Sequence, residues 1–290
     1  MIKSLLNISD LTRDQIIKIL DFNSTNNSLN NKNIGLLFEK NSTRTRVSFN
    51  VGINQLRGNC IDIRYEELNI SRDESFEDTF RALNCYLDGL IFRTTDHNRL
   101  IEAKKYFKKP IINALSDISH PCQILSDLFT LKSHFKKLDL NLLWMGDMNN
   151  VCYSLVEAAS LINELKLTIC SPTNIINKKN WSLSSNVNIV KSKSELDLSK
   201  FNCVMTDVFV SMNDDDIEGK VDLLKPFSVD SNLMSKVEKH AVFMHCLPAK
   251  VGFEVTDDVF RSPQSIVWKQ AYNRLIAQKK LLQFCFKKIL

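Results

Sequence analysis

Residues 34–56 read IGLLFEKNSTRTRVSFNVGINQL. The stretch opens with a mainly apolar run, Ile34–Glu39, whose length and composition predict a buried strand. Phe49, Ile53 and Leu56 then recur at helical spacing, so a helix follows the strand. A strand that leads directly into a helix is the repeating unit of parallel α/β folds.

The same alternation continues along the rest of the chain. In the first half it predicts further strands at Asn59–Ile63, Gly89–Arg93 and Pro110–Asn113. In the second half it predicts strands at Leu140–Gly146, Leu167–Cys170, Val187–Val190, Cys203–Val208 and Ala241–Leu247. Long helical patterns cover Asp73–Leu87, His120–Phe135 and about Gln264 to Leu290.

This order predicts an α/β protein with two doubly wound parallel-sheet domains joined by interdomain helices. The first domain covers residues 1–133 and is completed by a C-terminal helix over 264–290, and the second covers 134–263. In such folds ligands bind beyond the carboxyl ends of the strands, so we expect the chemistry in the loops that follow strands.

Composition disfavours several functional classes. The net charge of +5 comes from scattered lysines, which disfavours nucleic-acid binding. The eight cysteines lie far apart and form no Cys-x-x-Cys pair, so zinc-ribbon and thioredoxin classes have no support. Met1–Asp10 shows no secretory leader, and no run reaches the roughly 20 apolar residues of a membrane span. We therefore expect a soluble, cytoplasmic protein without nucleic-acid or membrane partners.

The loop after the first strand is rich in groups that bind anions. Ser42-Thr43-Arg44-Thr45-Arg46 stands where a helix begins, and a helix start offers unpaired backbone N–H groups. Its hydroxyl and guanidinium groups add donors that suit phosphate oxygens. The loop lacks the glycine and lysine pattern of a P-loop, which argues against nucleotide hydrolysis. From spacing alone, an anion site and a capped helix with two solvated arginines stay equally open.

Two further positions in the first half pose a similar choice. Arg93 ends a predicted strand, where an arginine can meet an anion or simply lie on the surface. His120-Pro121-Cys122-Gln123 opens the long helix, and Pro121 suits a first helical turn. His120 and Gln123 can donate hydrogen bonds to a carbonyl oxygen, and a helix start keeps a histidine neutral. A capping histidine is the competing interpretation.

Polar residues also follow the strands of the second half. Asn149 and Asn150 can bind a carboxylate or cap the next helix, and Asp207 can hold an amine. Cys246 adjoins His245, but neighbours on a strand point to opposite faces, which disfavours a nucleophile and base pair. A zinc site lacks a second ligand pair at suitable spacing. We expect Cys246 to line a site, together with the backbone carbonyl of Leu247.

Taken together, these motifs resemble the aspartate/ornithine carbamoyltransferase family. Residues 42–46 and 120–123 look like the two signatures shared across the family. Residues 207–212 and 245–248 look like its ornithine branch. The resemblance runs from about Ile34 to Lys280. It implies that the first domain binds carbamoyl phosphate, that the second binds the amino acid, and that a homotrimer shares its active sites between subunits.

The resemblance also implies a role for each matching residue. The residues implied in carbamoyl-phosphate binding are Ser42, Thr43, Arg44, Thr45, Asn69, Arg72, Arg93, His120, Gln123, Cys246, Leu247 and Arg274. Those implied in ornithine binding are Asn150, Asp207, Ser211 and Met212. The catalytic groups implied are Arg93, His120, Gln123, Asp207 and Cys246. His120 and Gln123 are expected to polarise the carbamoyl carbonyl, and neither a metal nor an organic cofactor is required.

The activity implied is transfer of the carbamoyl group of carbamoyl phosphate to the δ-amine of L-ornithine, giving L-citrulline and phosphate in arginine biosynthesis. Two alternatives stay open: transfer to another amine (an acylated ornithine, putrescine or aspartate), and a non-catalytic relative. They are motivated by residues that depart from the family pattern, namely Asn69, Phe209, Asn213, Lys250-Val251 and Tyr272. The intact arginines, His120, Asp207 and Cys246 argue against loss of catalysis.

Overall fold

The structure is a computed structural model that describes residues 4–22, 27–178, 181–210 and 217–286. The side chains of residues 71, 72, 217 and 218 lie outside that description. The chain forms two compact units. Unit 1 comprises Met1–Phe129 and Asn273–Leu290, and unit 2 comprises Thr130–Tyr272.

Unit 1 is built on a four-stranded parallel sheet in the order β2-β1-β3-β4. The strands are β1 (Asn33–Phe38), β2 (Asn59–Arg64), β3 (Gly89–Arg93) and β4 (Ile111–Leu115). The helices in this part of the chain are α1 (Arg13–Asp21), α2 (Thr43–Gln55), α3 (Phe76–Tyr86), α4 (His97–Tyr106) and α5 (Pro121–Phe135). The end of α5 passes into unit 2.

Unit 2 is built on a five-stranded parallel sheet in the order β7-β6-β5-β8-β9. Its strands are β5 (Leu140–Met145), β6 (Leu165–Cys170), β7 (Val187–Val190), β8 (Cys203–Thr206) and β9 (Val242–His245). The helices that follow are α6 (Asn150–Leu161), α7 (Thr173–Ile176), α8 (Ile217–Leu224), α9 (Ser231–Met234), α10 (Asp257–Phe260) and α11 (Val267–Phe286). The end of α11 passes into unit 1.

Short 3-10 helices complete the described secondary structure. They span Ile8–Asp10, Tyr65–Glu67, Asn69–Arg72, Lys193–Glu195, Leu198–Lys200 and Lys225–Phe227. No helix within the described ranges combines the length and the apolar character that crossing a membrane requires.

The predicted fold class is confirmed, because both sheets are parallel and helices alternate with their strands. All nine predicted strands form, with ends that move by one or two residues. Three were predicted too long: β5 ends at Met145, β8 at Thr206 and β9 at His245, where the strand pairing stops. Asp207, Cys246 and Leu247 therefore lie in loops. The helix predicted from Asp73 begins at Phe76, because Ser75 caps it.

Burial explains why the apolar runs identified the strands. Strands β3, β8 and β9 are buried at every position, as expected when helices cover both faces of a parallel sheet. The edge strand β2 is mostly exposed and carries a more polar sequence. Because all strands of a sheet point the same way, the loops at their carboxyl ends collect along one edge of each sheet.

Gly89 provides a test of packing within unit 1. A Cβ atom at Gly89 would lie 2.2 Å from the Cζ atom of Phe286, at the end of α11. We expect Gly89→Ala to lower the free energy of unfolding by about 1–3 kcal/mol, because the strand or the ring must shift. Urea unfolding measures this change.

Gly52→Ala in α2 is the matched control for that substitution. Its new Cβ would meet Lys279 at 3.3 Å, and alanine favours a helix, so we expect a neutral or stabilising effect. The combination of Gly89→Ala with Phe286→Ala should cost less than the sum of the two single changes. Strict additivity of the two changes would contradict this account of the contact.

Candidate active site

The loop after β1 delivers Ser42 to the start of α2. Ser42 is the residue at which the helix begins, and its carbonyl accepts from the backbone N–H of Arg46 at 3.1 Å. Its hydroxyl makes no capping bond. The hydroxyl instead accepts from Nη1 of Arg93 at 3.1 Å, so the capped helix, one of the two interpretations left open for this loop, does not use the Ser42 side chain. The Arg93 guanidinium thus donates to the Ser42 oxygen that a capping hydrogen bond would otherwise use.

The other residues of the loop have different roles. Thr43 and Arg44 are exposed and Thr45 is buried. Arg46 is engaged within the protein: it pairs with Asp62 at 2.7 Å and lies over the ring of Phe38. Arg44 is therefore the arginine of this loop that faces solvent.

Buried positive charge collects beside this loop. Arg93 at the end of β3 and Arg274 in α11 are 9% and 5% exposed. Burial, followed by the charges of Arg274 and Arg44, lowers the pKa of Arg93 to about 10. Nη2 of Arg274 donates to the hydroxyl of Thr45 and to Nε2 of His120, the latter at 3.3 Å. Unit 1 thus brings together Ser42, Thr45, Arg93, His120 and Arg274.

Burial and these arginines favour a neutral ring at His120. A guanidinium has only donors, so the Nε2 atom that faces Arg274 must accept and the ring proton must lie on Nδ1. Complete burial, then the charges of Arg274 and Arg93, lowers the pKa of His120 well below its ordinary value. The lowered pKa favours the neutral histidine that the sequence pattern predicts. Its cause is burial and two cations, whereas the sequence pattern suggested the helix start.

Gln123, in the first turn of α5, is oriented by a residue that sequence reasoning missed. Its Nε2 donates to Oδ1 of Asp127 at 2.8 Å, and both side chains are buried. Its Oε1 makes no hydrogen bond to any residue that the structure describes. The atom of Gln123 that remains for a further hydrogen bond is therefore an acceptor, suited to an amide N–H. A Gln and an Asp four residues apart on a helix are the sequence signal that could have identified the pair.

A buried polar network fixes the loop that precedes His120. The side-chain amide of Asn113 donates to the carbonyls of Leu6 at 2.9 Å and Ser119 at 3.3 Å. The backbone N–H of Ser116 donates to Ser119 at 2.9 Å, which closes the loop. The thiol of Cys122 donates to the Asn113 carbonyl, and burial raises its pKa to about 12, so it is unsuited to act as a nucleophile.

Glu39 ties the ends of β1 and β3 together and was also missed. Its carboxylate accepts from the hydroxyl of Thr94 at 2.8 Å and from the backbone of Thr95 at 3.0 Å. Nη1 of Arg99 completes the set at 2.8 Å. Sequence spacing gave no signal for these contacts, because their partners lie more than 50 positions away. The carboxylate holds the backbone next to Arg93.

Some implied residues are not brought to this site. Asn69 is exposed in the 3-10 helix Asn69–Arg72. The side chain of Arg72 lies outside the described part of the structure, and so do residues Ser211, Met212 and Asn213.

Unit 2 presents a carboxylate, Asp207, directly after β8. Asp207 is 7% exposed. Its Oδ1 accepts from the thiol of Cys246 at 2.8 Å, and its Oδ2 accepts from Nδ2 of Asn149 at 2.8 Å. Asn150, the first residue of α6, is half-buried next to them in sequence.

His245 and Cys246 form hydrogen bonds with different partners. They were expected to point to opposite faces of one strand, but β9 ends at His245 and Cys246 lies in the loop that follows. Nδ1 of His245 accepts from the backbone N–H of Leu247 at 2.9 Å, so Nε2 carries the proton and donates to Glu254 at 3.2 Å. Leu247 has a φ of 60°, and this hydrogen bond supports that left-handed backbone.

One group in the described ranges approaches the spacing of a metal site. Asp207, His245 and Cys246 place their potential ligand atoms within 4.8 Å of one another. Both ring nitrogens of His245 already bond to the protein, so neither has a lone pair to offer a cation. The trio therefore does not fit a metal without rearrangement.

Comparisons with known proteins follow the same division of the chain. Residues 3–133 match the family model described as "Aspartate/ornithine carbamoyltransferase, carbamoyl-P binding domain". Residues 138–285 match the model described as "Aspartate/ornithine carbamoyltransferase, Asp/Orn binding domain". Together the two models cover most of the 290 residues.

Several similar proteins and solved structures are named ornithine carbamoyltransferase. The ornithine carbamoyltransferase of Methanosphaera stadtmanae is 39% identical, over 98% of this chain and 99% of that protein. That of Brucella suis biovar 1 is 41% identical, over 88% of this chain and 83% of that protein. The solved structure from Pyrococcus furiosus has a TM-score of 0.88 and 32% identity, covering 99% of this chain and 98% of that one. The structure from Burkholderia thailandensis E264 has a TM-score of 0.89 and 29% identity over the whole of both chains.

The buried arginines of unit 1 are expected to bind phosphate. Arg93→Gln should weaken the binding of inorganic phosphate at least roughly tenfold, the size of one lost hydrogen bond to a charged group. Isothermal titration calorimetry measures the affinity. Arg81→Gln removes the same charge from an arginine whose side chain is 63% exposed and pairs with Glu77, and should leave the affinity unchanged. Equal weakening in both variants would indicate a diffuse charge effect only.

His120 is expected to make unit 1 sensitive to acid. Its pKa is lowered in the folded protein from the ordinary 6.5, so acidification favours the unfolded chain, which binds the proton. The stabilisation is fully present above about pH 6.5 and is lost as pH falls towards the folded pKa. His120→Gln should flatten the dependence of unfolding free energy on pH by up to about 1.4 kcal/mol per unit. Urea titrations between about pH 5 and 8 that run parallel would refute this.

Proposed function

The chain belongs to the aspartate/ornithine carbamoyltransferase family, and from that premise we propose that it transfers the carbamoyl group of carbamoyl phosphate to the δ-amine of L-ornithine. The products are L-citrulline and phosphate. The observation that carries the proposal is the opposite charge of the two candidate sites. Unit 1 presents buried arginines to an anion, and unit 2 presents the carboxylate of Asp207 to an amine.

The donor is assigned to unit 1. Ser42, Thr43, Arg44 and Thr45 bind the phosphate at the start of α2, where backbone N–H groups and the helix dipole also favour an anion. Arg93 adds a second guanidinium, which remains charged at neutral pH because its pKa is lowered only to about 10. A planar guanidinium suits the phosphate oxygens through paired hydrogen bonds.

The carbamoyl group is assigned to the groups beside the phosphate. Arg274 donates to the hydroxyl of Thr45 and to Nε2 of His120. We propose that the carbamoyl carbonyl oxygen takes the place of one of these acceptors when the donor binds. Asp127 holds the amide nitrogen of Gln123 and leaves its oxygen without a partner among the described residues, and we assign this oxygen to the carbamoyl N–H group. The carbonyl is then polarised mainly by Arg274 and Arg93. His120 can join them as a donor once ligand binding moves the ring proton to Nε2.

The acceptor is assigned to unit 2. Asp207 pairs with an ammonium group of ornithine, while Asn150, Ser211 and Met212 bind the amino-acid end. Cys246 and the backbone carbonyl of Leu247 line the reacting centre. Aspartate fits this site poorly, because its second carboxylate would meet Asp207 without an added basic residue.

The reaction follows from these assignments. The uncharged δ-amine attacks the carbamoyl carbon, and negative charge grows on the carbonyl oxygen. One preorganised donor to such an oxygen contributes about 3–4 kcal/mol to transition-state stabilisation. The bond from carbon to the phosphate oxygen then breaks, and phosphate leaves against the arginines and takes up the proton that the amine loses. Neither a metal nor an organic cofactor takes part, because phosphate is already a good leaving group.

The wider setting is also part of the proposal. We place the reaction in arginine biosynthesis and in the cytoplasm, and we infer a homotrimer whose subunits share active sites. The exposed position of Asn69 supports its assignment, with Arg72, to the loop that reaches a neighbouring subunit. None of the eight cysteines is in a disulfide, which suits a reducing compartment.

A citrulline assay tests the proposal directly. The purified protein should form citrulline from carbamoyl phosphate and L-ornithine, and should use putrescine, N-acetylornithine and aspartate far more slowly. Asp207→Asn should lower kcat/KM for ornithine roughly hundredfold, because a buried charge partner is lost. Asp257→Asn is the control, since its carboxylate is 61% exposed and pairs with Arg261 on the surface. Faster carbamoylation of another amine would overturn the assignment of the acceptor.

A further inference from the structure

We propose that Asn149 is a positioning residue that fixes the Asp207 carboxylate for the amine acceptor. This inference rests on the proposed function, in which Asp207 meets an ammonium group. The motif Gly146–Asn150 carries two asparagines, and the resemblance to the family assigns a substrate contact only to the second, Asn150.

The orientation of the Asn149 amide is set by the helix that it caps. Its Oδ1 accepts from the backbone N–H groups of Val151 at 3.0 Å and Cys152 at 3.1 Å. These are donors of the first turn of α6, which need an acceptor at a helix start. With the oxygen committed to the helix, the Nδ2 group must point the other way. It donates to Oδ2 of Asp207 at 2.8 Å.

The carboxylate is therefore held at both oxygens. Asn149 donates to Oδ2 from the loop after β5, and Cys246 donates to Oδ1 from the loop after β9. The strand before Asn149 is also tied to the strand before Asp207, because the hydroxyl of Thr206 at the end of β8 donates to the carbonyl of Met145 at the end of β5 at 2.7 Å. An ammonium group then meets a carboxylate that has little freedom to rotate, which reduces the entropy lost on binding.

Asparagine suits this place because it joins an acceptor and a donor in one rigid group. Aspartate and serine are equally good residues for starting a helix. Aspartate has no donor for Asp207 and would set a second carboxylate against it. Serine has a single oxygen that is occupied by the helix and is too short to span the distance. A residue selected only as a cap would therefore be replaceable, whereas one that positions Asp207 would not.

Asn149→Ser separates the two roles. Because serine keeps the cap, we expect the thermal unfolding midpoint to stay near that of the wild type. We expect the KM for L-ornithine to rise roughly tenfold, the size of one lost hydrogen bond to a charged group, while the KM for carbamoyl phosphate stays unchanged. Asn149→Ala should show the same rise in KM together with a lower unfolding midpoint. A serine variant that behaves as wild type beside an impaired alanine variant would reduce Asn149 to a cap and overturn the proposal.

A double-mutant cycle provides a readout that a purely structural role would not affect. If Asn149 acts through Asp207, Asn149→Ser should have no further effect on ornithine kinetics once Asp207→Asn is present. Additive losses in the cycle would overturn the positioning role. A wild-type protein that forms no citrulline would overturn the proposed function as well. An active wild type with unaltered kinetics in Asn149→Ser would overturn this inference alone.

Discussion

The mutual repulsion of Arg93 and Arg274, both almost fully buried, is the interaction on which the donor site depends. A buried cation loses its hydration, and a second cation nearby makes that loss harder to offset. The lowered pKa of Arg93, about 10, records both effects. Burial and the same positive charges lower the pKa of His120, and Nε2 of its neutral ring accepts from Arg274. A phosphate dianion at this place removes the repulsion, so the structure of unit 1 already favours the anion that it is proposed to bind.

Rigid elements of the fold hold the two buried arginines in place. Arg93 ends a strand buried at every position, and Glu39 holds the backbone next to it through Thr94 and Thr95. Arg274 extends from a 20-residue helix whose end packs against Gly89. The guanidiniums are thus attached to rigid elements, and ligand binding need not order them. In unit 2 a negative charge is held in place in the same way, because both oxygens of the Asp207 carboxylate accept hydrogen bonds from fixed donors.

Sequence reasoning located the strands and the loops after them because both depend on local pattern. Strands buried on both faces appear as apolar runs, and the polar residues that interrupt them mark the carboxyl ends. Partnerships between distant residues were beyond that reasoning. A helix cap at Ser42 was one of two open interpretations, but Arg93, 51 positions away, donates to its hydroxyl. Glu39 was treated as the last residue of a strand, although it joins two loops. The two contacts of Asn149, with the start of α6 and with Asp207, could not be assigned before its partners were known. Asp127 was missed as well, although its spacing from Gln123 is visible in the sequence.

Burial and the two arginines keep His120 neutral, and an anion is expected to relieve the repulsion between the arginines. The protonation state of His120 can be measured by long-range proton–nitrogen NMR spectra of histidine-labelled protein, with and without phosphate. In the absence of phosphate, we expect a neutral ring with its proton on Nδ1 and a pKa well below the ordinary 6.5. We expect saturating phosphate to raise this pKa, because the anion offsets the two arginines. A His120 ring that titrates near its ordinary pKa, with the same pKa in the presence of phosphate, would show that the arginines do not control it.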